Sequence, residues 1–264
     1  MKNFAICYNK EISHSSEVKD SLLKVLKIKG ISAEVFDLDN LKDGCDFVFV
    51  IGGDGTILKT ARYYAPKKTP VFGINYGRLG FLSQSTKENL ELAVDKILNN
   101  KYVVENRMML QSLNYTALND FVIKSCETGR TSKFSLKIND RFVCDYLADG
   151  IIISTPTGST AYGLSAGGPV IEPSLEAFVI VPICPHTLTA RPIVVPAHEK
   201  ITVSADNNCK SVISADGQEF FEFDSEVKIE KSNYCAKLAL LNGADFYSVL
   251  RDKLHWATHP EYQV

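Results

Sequence analysis

Five consecutive apolar residues, Phe47-Val48-Phe49-Val50-Ile51, run directly into Gly52-Gly53-Asp54-Gly55-Thr56. An unbroken apolar run of strand length suits a parallel strand covered on both faces, because a half-exposed strand alternates instead. Parallel neighbours need crossover connections, and the flanking sequence supplies them. Residues 16–29 carry Val18, Leu22, Val25 and Leu26 at helical spacing, with Gly30 as a stop. Residues 4–8, 33–36 and 71–74 read as further strands, and 56–64 and 87–98 as further helices. Strand alternating with helix over residues 1–106 predicts an α/β domain with a mostly parallel sheet.

From residue 107 the texture changes. Short apolar runs at 134–138, 151–154, 193–195, 201–204 and 227–229 are separated by Gly, Pro, Asn and Asp. No long helical pattern returns until 246–254. Short strands set off by turn signals predict a β-rich second domain over residues 107–241. A chain of 264 residues, 45% of them hydrophobic, is long enough to bury a core in each part. The net charge of −2 carries no basic surplus, so nucleic acid is not an expected partner. Seven scattered cysteines without a CxxC pair, and five histidines without an HExxH, argue against a disulfide framework and a zinc site. They fit reduced thiols in a cytoplasmic protein. No apolar run approaches the length of a membrane span, so no membrane association is expected.

The glycine turn is the first candidate site. In a parallel sheet, ligands bind beyond the carboxyl ends of the strands, where this turn falls. Three glycines let backbone N–H groups approach an anion closely, and a helix N-terminus adds favourable partial charge. Asp54 places one carboxylate in this anion-friendly turn. Two chemical tasks suit it: holding a divalent cation, or taking a proton from an attacking hydroxyl. A third reading is structural, with Asp54 capping the following helix. Neither G-x-G-x-x-G nor G-x-x-x-x-G-K-[ST] occurs in the chain, so any nucleotide chemistry uses other machinery.

The densest stretch of the second half is Asp149-Gly150-Ile-Ile-Ile-Ser154-Thr155-Pro156-Thr157-Gly158-Ser159-Thr160-Ala161-Tyr162. Small residues permit close approach, hydroxyls can bond sugar or phosphate oxygens, and Tyr162 offers an aromatic face. Asn119-Asp120 forms a polar pair beside the apolar run 121–123, which an ordinary turn opening a strand would also explain.

Taken together, GGDGT, Asn75-Tyr-Gly-Arg-Leu-Gly-Phe81-Leu, Leu118-Asn119-Asp120, DGIIISTPTGSTAYGLSAGGP and Pro185-His186-Thr-Leu-Thr-Ala-Arg191-Pro192 resemble the NAD kinase family, in order from about residue 47 to residue 218. The tail around Trp256 is similar as well. GGDG is shared with lipid kinases of the same superfamily, whereas the DG…STPTGSTAY and PHTLTARP segments are specific to NAD kinases. The resemblance implies a β-sandwich-like second domain, with residues 242–264 returning to the first. It implies transfer of a phosphoryl group from ATP to the 2′-hydroxyl of the adenosine ribose of NAD, with a divalent cation, Mg²⁺, and a homotetramer or homodimer.

Carried over residue by residue, Asp54 is the catalytic carboxylate, Gly55 its neighbour at the nucleotide, and Phe81 a lining residue of the cleft. Asn119 and Asp120 match a pair that is commonly Asn-Glu, so the acidic member is one methylene shorter here. Asp149 matches a cofactor-binding acid, and Thr160, Ala161, Tyr162, Gly163, Leu164 and Ser165 match the adenosine-binding loop. Gln218 matches a further NAD contact, and Lys59 and Arg130 fall where some members place a basic contact. The basic residue that many members carry two positions before Asp149 is Leu147 here.

Three other readings share part of this pattern. A lipid or diacylglycerol kinase would share GGDGT but would present an apolar acceptor surface. Gly163-Leu-Ser165-Ala-Gly167 reads as G-x-S-x-G, a serine-hydrolase elbow, which requires a strand immediately before it and a helix after it. A dinucleotide sensor without turnover would have no use for Asp54.

Overall fold

The computed structural model describes residues 2–77, 79–126, 131–205, 211–243 and 245–255. The chain divides into two compact units, one built from the first 105 residues and the chain from Lys237 on, the other from Asn106–Ala236.

The first unit opens with β1 (Phe4–Tyr8), α1 (Ser13–Ile28), β2 (Ala33–Asp37) and β3 (Phe47–Ile51). It continues with α2 (Asp54–Tyr64), β4 (Val71–Asn75), β5 (Ser83–Thr86) and α3 (Leu90–Leu98). The strands lie in the order β5-β4-β3-β1-β2 and every pair is parallel. All five residues of β3 and all five of β4 are buried, as an unbroken apolar run requires. Phe47, Phe49 and Ile51 pack with Val18, Leu22 and Leu26 of α1 and with Val94 and Ile97 of α3. α2 lies on the other face, where Ile57 meets Gly73 and the Thr60 hydroxyl lies 3.4 Å from Cys7 Sγ. The helix expected at 87–98 begins as a 3-10 turn over Lys87–Asn89 before α3.

The second unit is built on strands throughout. The chain enters it along β6 (Tyr102–Ser112) and continues through β7 (Tyr115–Ala117), β8 (Asp120–Ser125), β9 (Ser132–Ile138), β10 (Arg141–Ala148) and β11 (Gly150–Ser154). A 3-10 turn (Thr157–Thr160) and the single-turn α4 (Tyr162–Ser165) follow. Then come β12 (Ala177–Ile183), β13 (Ile193–Pro196), β14 (Ile201–Ala205), β15 (Ser211–Ala215), β16 (Glu219–Phe223) and β17 (Glu226–Leu241). The last helix, α5 (Phe246–Leu254), belongs to the first unit and is capped by the Asp245 carboxylate.

One antiparallel sheet has the order β13-β12-β11-β8-β15-β16, and β10-β9-β14-β17 forms another. Phe121, Ile123, Ile151, Ile153, Ile213 and Ala215 of the first sheet share one core with Phe134, Leu136, Ile201, Val203, Val227 and Ile229 of the second. That is sandwich packing: alternate residues of each strand face the partner sheet. The outward residues Val122, Ile152, Val179 and Val181 form a second cluster under Ala166 and Ile171. The segment after β11 therefore covers that face, and Ile151–Ile152–Ile153 is apolar throughout because both of its faces are covered. β17 is far longer than the expected 227–229, since the polar stretch Lys231-Ser-Asn-Tyr-Cys235 interrupts its alternation in sequence but not the strand itself.

Candidate active site

In the first unit the chain leaves β3 at Ile51, turns through Gly52 and Gly53, and enters α2 at Asp54. Gly53 takes the cap position with no side-chain cap, and its carbonyl accepts the N–H groups of Thr56 and Ile57. Asp54 therefore lies inside the helix, and its carboxylate does not cap it. Instead Oδ2 accepts the Phe81 N–H at 2.9 Å and Oδ1 accepts the Leu82 N–H at 3.2 Å. Two successive amides thus fix the carboxylate, leaving acceptor positions for a further partner. Gly80 is required beside it: a Cβ there would stand 2.1 Å from Asp54 Oδ1. The Gly80 N–H is held in turn by Ser83 Oγ at 2.6 Å.

Gly55 is exposed in the first turn of α2, and Phe81 is half-buried. Lys59, on the same helix, donates to Asp39 Oδ1 at 2.7 Å. Five residues along a helix is about 140° of rotation, so Lys59 does not share the Asp54 face.

In the second unit a pocket of about 300 Å³ opens on the outward face of the β8-β15-β16 end of the sheet. Asp120, Val122 and Lys124 of β8 point there by strand alternation, opposite the core residues Phe121 and Ile123. Val122 pairs with Ser214, and Ser214 with Phe220, so one cross-strand row supplies three lining residues. Ala161 and Tyr162 form a wall, and the Lys124 amine donates to the Tyr162 hydroxyl at 3.2 Å. Asp120 is 4% exposed. Burial first, and then the neighbouring Asp216 carboxylate, push its carboxyl up to about 7, where a proton is exchanged at ordinary working pH.

The hydroxyl loop that follows β11 serves as an internal brace. Ser154, Thr155 and Ser159 are buried. Ser154 Oγ donates to Asn119 O, Thr155 Oγ1 to Leu118 O at 2.6 Å, and Ser159 Oγ to Pro156 O at 2.7 Å. The Thr157 hydroxyl accepts from Arg107, and Thr160 Oγ1 donates to Thr157 O. A Cβ on Gly158 would lie 2.2 Å from Asn119 O, so only glycine lets the loop seat against that segment. The sequence suggested these hydroxyls for sugar or phosphate oxygens, but their hydrogen bonds go to the protein, chiefly to its backbone.

Of the residues singled out in the second half, the pocket brings together Asn119, Asp120, Ala161 and Tyr162. Thr160, Gly163, Leu164 and Ser165 belong to the adjoining loop and α4 but are not among the lining residues. Asp149 is exposed between β10 and β11, and Gln218 lies in the β15–β16 turn. Arg130 and Trp256 lie outside the described residues. Ser165 ends α4 instead of standing between a strand and a helix, so the elbow geometry is not met. Lys124, Ser214, Asp216 and Phe220 escaped sequence reasoning. Asp216-Gly217 carried a signal as a hairpin pair, whereas Lys124 and Phe220 reach the pocket only through strand register.

A parallel-sheet unit whose glycine turn holds one fixed carboxylate, together with an antiparallel unit that carries a pocket of acidic and aromatic groups, suits a nucleotide-using phosphotransferase. Residues 5–102 match the ATP-NAD kinase N-terminal domain, and residues 118–241 match the ATP-NAD kinase C-terminal domain. The chain is 42% identical to the NAD kinase of Thermoanaerobacter sp. (strain X514) over 221 residues, covering 79% of this chain and 78% of that one. It is 42% identical to the NAD kinase of Pseudomonas fluorescens (strain Pf0-1) over 254 residues, covering 91% and 85%. Among solved structures, an NAD kinase from Archaeoglobus fulgidus in complex with ATP is 32% identical with a TM-score of 0.82, covering 96% of this chain and 98% of that one. A yeast NADH kinase complexed with NADH shares the fold, with a TM-score of 0.85, at 20% identity, covering 98% of this chain and 89% of that one. The chain belongs to the ATP-NAD kinase family. That membership decides against the lipid-kinase and hydrolase readings. Among the described residues no helix is long and apolar enough to cross a membrane.

Proposed function

We propose that the chain phosphorylates the 2′-hydroxyl of the adenosine ribose of NAD with ATP, and that Asp54 is the group that receives the hydroxyl proton. The observation that carries this reading is the Asp54 carboxylate, held by the Phe81 and Leu82 amides at the mouth of a strand–glycine–helix turn. A base fixed in this way has no reorganisation to undergo when the hydroxyl attacks phosphorus. The glycine turn and the N-terminus of α2 favour the phosphate charge.

The pocket in the second unit takes the adenosine end of NAD. Tyr162 and Phe220 offer aromatic faces to the base, Asn119 and Asp120 offer polar groups to the ribose, and Lys124 supplies positive charge for the pyrophosphate. Gly55, Phe81, Asp149, Thr160, Gly163, Leu164, Ser165 and Gln218 complete the contacts by family resemblance, as does Arg130. In this division residues 1–106 with 242–264 carry the chemistry, and 107–241 hold NAD. Among the described residues no three His, Cys, Asp or Glu side chains converge. Mg²⁺ would be carried on the ATP phosphates and would offset their charge, with Asp54 the carboxylate that the glycine turn could offer it. The same reading takes the protein as a cytoplasmic homotetramer or homodimer, which sedimentation of the purified chain tests.

The activity is tested by NADP formation from NAD, ATP and Mg²⁺, read through an NADP-specific dehydrogenase. Wild type produces NADP, and Asp54→Asn loses about 10²–10⁴-fold in kcat. Near-normal turnover in the variant would remove Asp54 from the mechanism.

A further inference from the structure

Residues 118–120 carry two of the pocket's polar side chains, Asn119 and Asp120, yet positions 118 and 119 precede the strand that begins at Asp120. Their backbone groups are nonetheless satisfied. The carbonyls of Leu118 and Asn119 accept from Thr155 Oγ1 and the Thr155 N–H, at 2.6 and 2.8 Å. The three amides all go to one side chain. Asp216 Oδ2 accepts the Leu118 N–H at 3.0 Å, and Oδ1 accepts those of Asn119 and Asp120 at 2.7 and 3.2 Å. The Asp216 N–H returns to Asp120 O at 2.9 Å.

The hairpin turn explains how a single side chain reaches three donors. Asp216 and Gly217 both have positive φ, 51° and 65°, and the Gln218 N–H closes on Ala215 O at 2.9 Å. Both central residues of a type I′ turn need positive φ, which Asp and Gly tolerate. An acceptor-only side chain suits this place, because the three backbone groups of residues 118–120 that it binds are all N–H donors. An asparagine would keep its carbonyl for two donors and turn its NH₂ toward the third.

We propose that Asp216 is a positioning residue for the NAD acceptor: its carboxylate clamps the amides of residues 118–120 and so sets where Asn119 and Asp120 stand in the pocket. This rests on the reading of the pocket as the NAD site. Asp216 acts through its neighbours, and part of that action is electrostatic. The charged and titratable groups facing Asp120 in the pocket are Asp216 from the β15–β16 turn, Lys124 from its own strand and Tyr162 from α4. Asp216 is the like charge among them, and it helps hold the Asp120 proton.

The test uses the full chain with Asp216→Ala and Asp216→Asn. Asp216→Ala is expected to raise KM for NAD at least about 10-fold while KM for ATP stays within about twofold, and Asp216→Asn to recover part of that loss. Asp216→Asn also removes the like charge, so the acid limb of kcat/KM for NAD moves to lower pH. Hydrogen exchange at the amides of residues 118–120 speeds at least about 10-fold in Asp216→Ala. An unchanged KM for NAD with those amides still protected would overturn the proposal, as would an equal rise in both KM values. If wild type forms no NADP, the activity reading fails, while the exchange measurement still decides whether Asp216 holds the segment.

Discussion

Two carboxylates in this chain stand in opposite surroundings. Asp54 accepts two backbone N–H groups at the first turn of α2. Asp120 is buried, accepts no side-chain hydrogen bond among the described residues, and has the Asp216 carboxylate beside it. The first arrangement fixes the direction of a carboxylate at the amino end of a helix. The second makes ionisation costly until something compensates for it. In the proposed reading the contrast gives one functional group two jobs through its neighbours, with chemistry in one unit and recognition in the other.

The comparison is broken most sharply by Gly80→Ala. Its Cβ would overlap Asp54 Oδ1, so the carboxylate must move. Turnover is expected to fall about 10²–10³-fold in steady-state assays, with NAD affinity kept, because small misplacements of reacting groups are costly. Asp120→Asn probes the other side through stability. The Asp120 carboxyl is raised from 3.8 to about 7 on folding, so the folded state binds the proton more tightly than the unfolded state. Its contribution is harmless below pH 4 and becomes destabilising as pH climbs through that window to about 7. Asp120→Asn is therefore expected to stabilise the fold at pH 8, by up to roughly 4 kcal/mol, and to change little at pH 4 in paired denaturant melts. A variant no more stable at pH 8 than wild type would show that Asp120 is not under strain.

Tyr162→Ala sharpens the recognition side, with KM for NAD expected to rise about 10-fold and kcat to hold, since loss of one aromatic–base stack costs about 1–3 kcal/mol. Lys59→Met is the smallest change. Its amine sits on Asp39, both are substantially exposed, and turnover should move less than about twofold. A large rise in KM for ATP would instead give Lys59 a direct part in binding phosphate.

The sequence was most legible where local signals and tertiary demands agree. The run 47–51 needed burial on both faces, and the glycines after it needed a turn, so the parallel sheet and the position of Asp54 could be read directly. It was least legible where partners come from distant strands. Lys124 and Phe220 look like ordinary surface residues until β8, β15 and β16 pair. Nor does the sequence say that the hydroxyls of Ser154 and Thr155 turn to the carbonyls of Asn119 and Leu118. Residues 118–119 supply no periodic pattern, and their order depends on Asp216, almost a hundred residues away along the chain.

The central claim is that Asp54 serves the reaction and not the binding of NAD. It is tested most directly by calorimetric titration of NAD into Asp54→Asn beside wild type, with NADP formation measured on the same samples. The account predicts an NAD affinity within about threefold of wild type together with a loss of turnover of about 10²-fold or more. Equal loss of affinity and turnover would contradict it, and would make the glycine turn part of the NAD site instead.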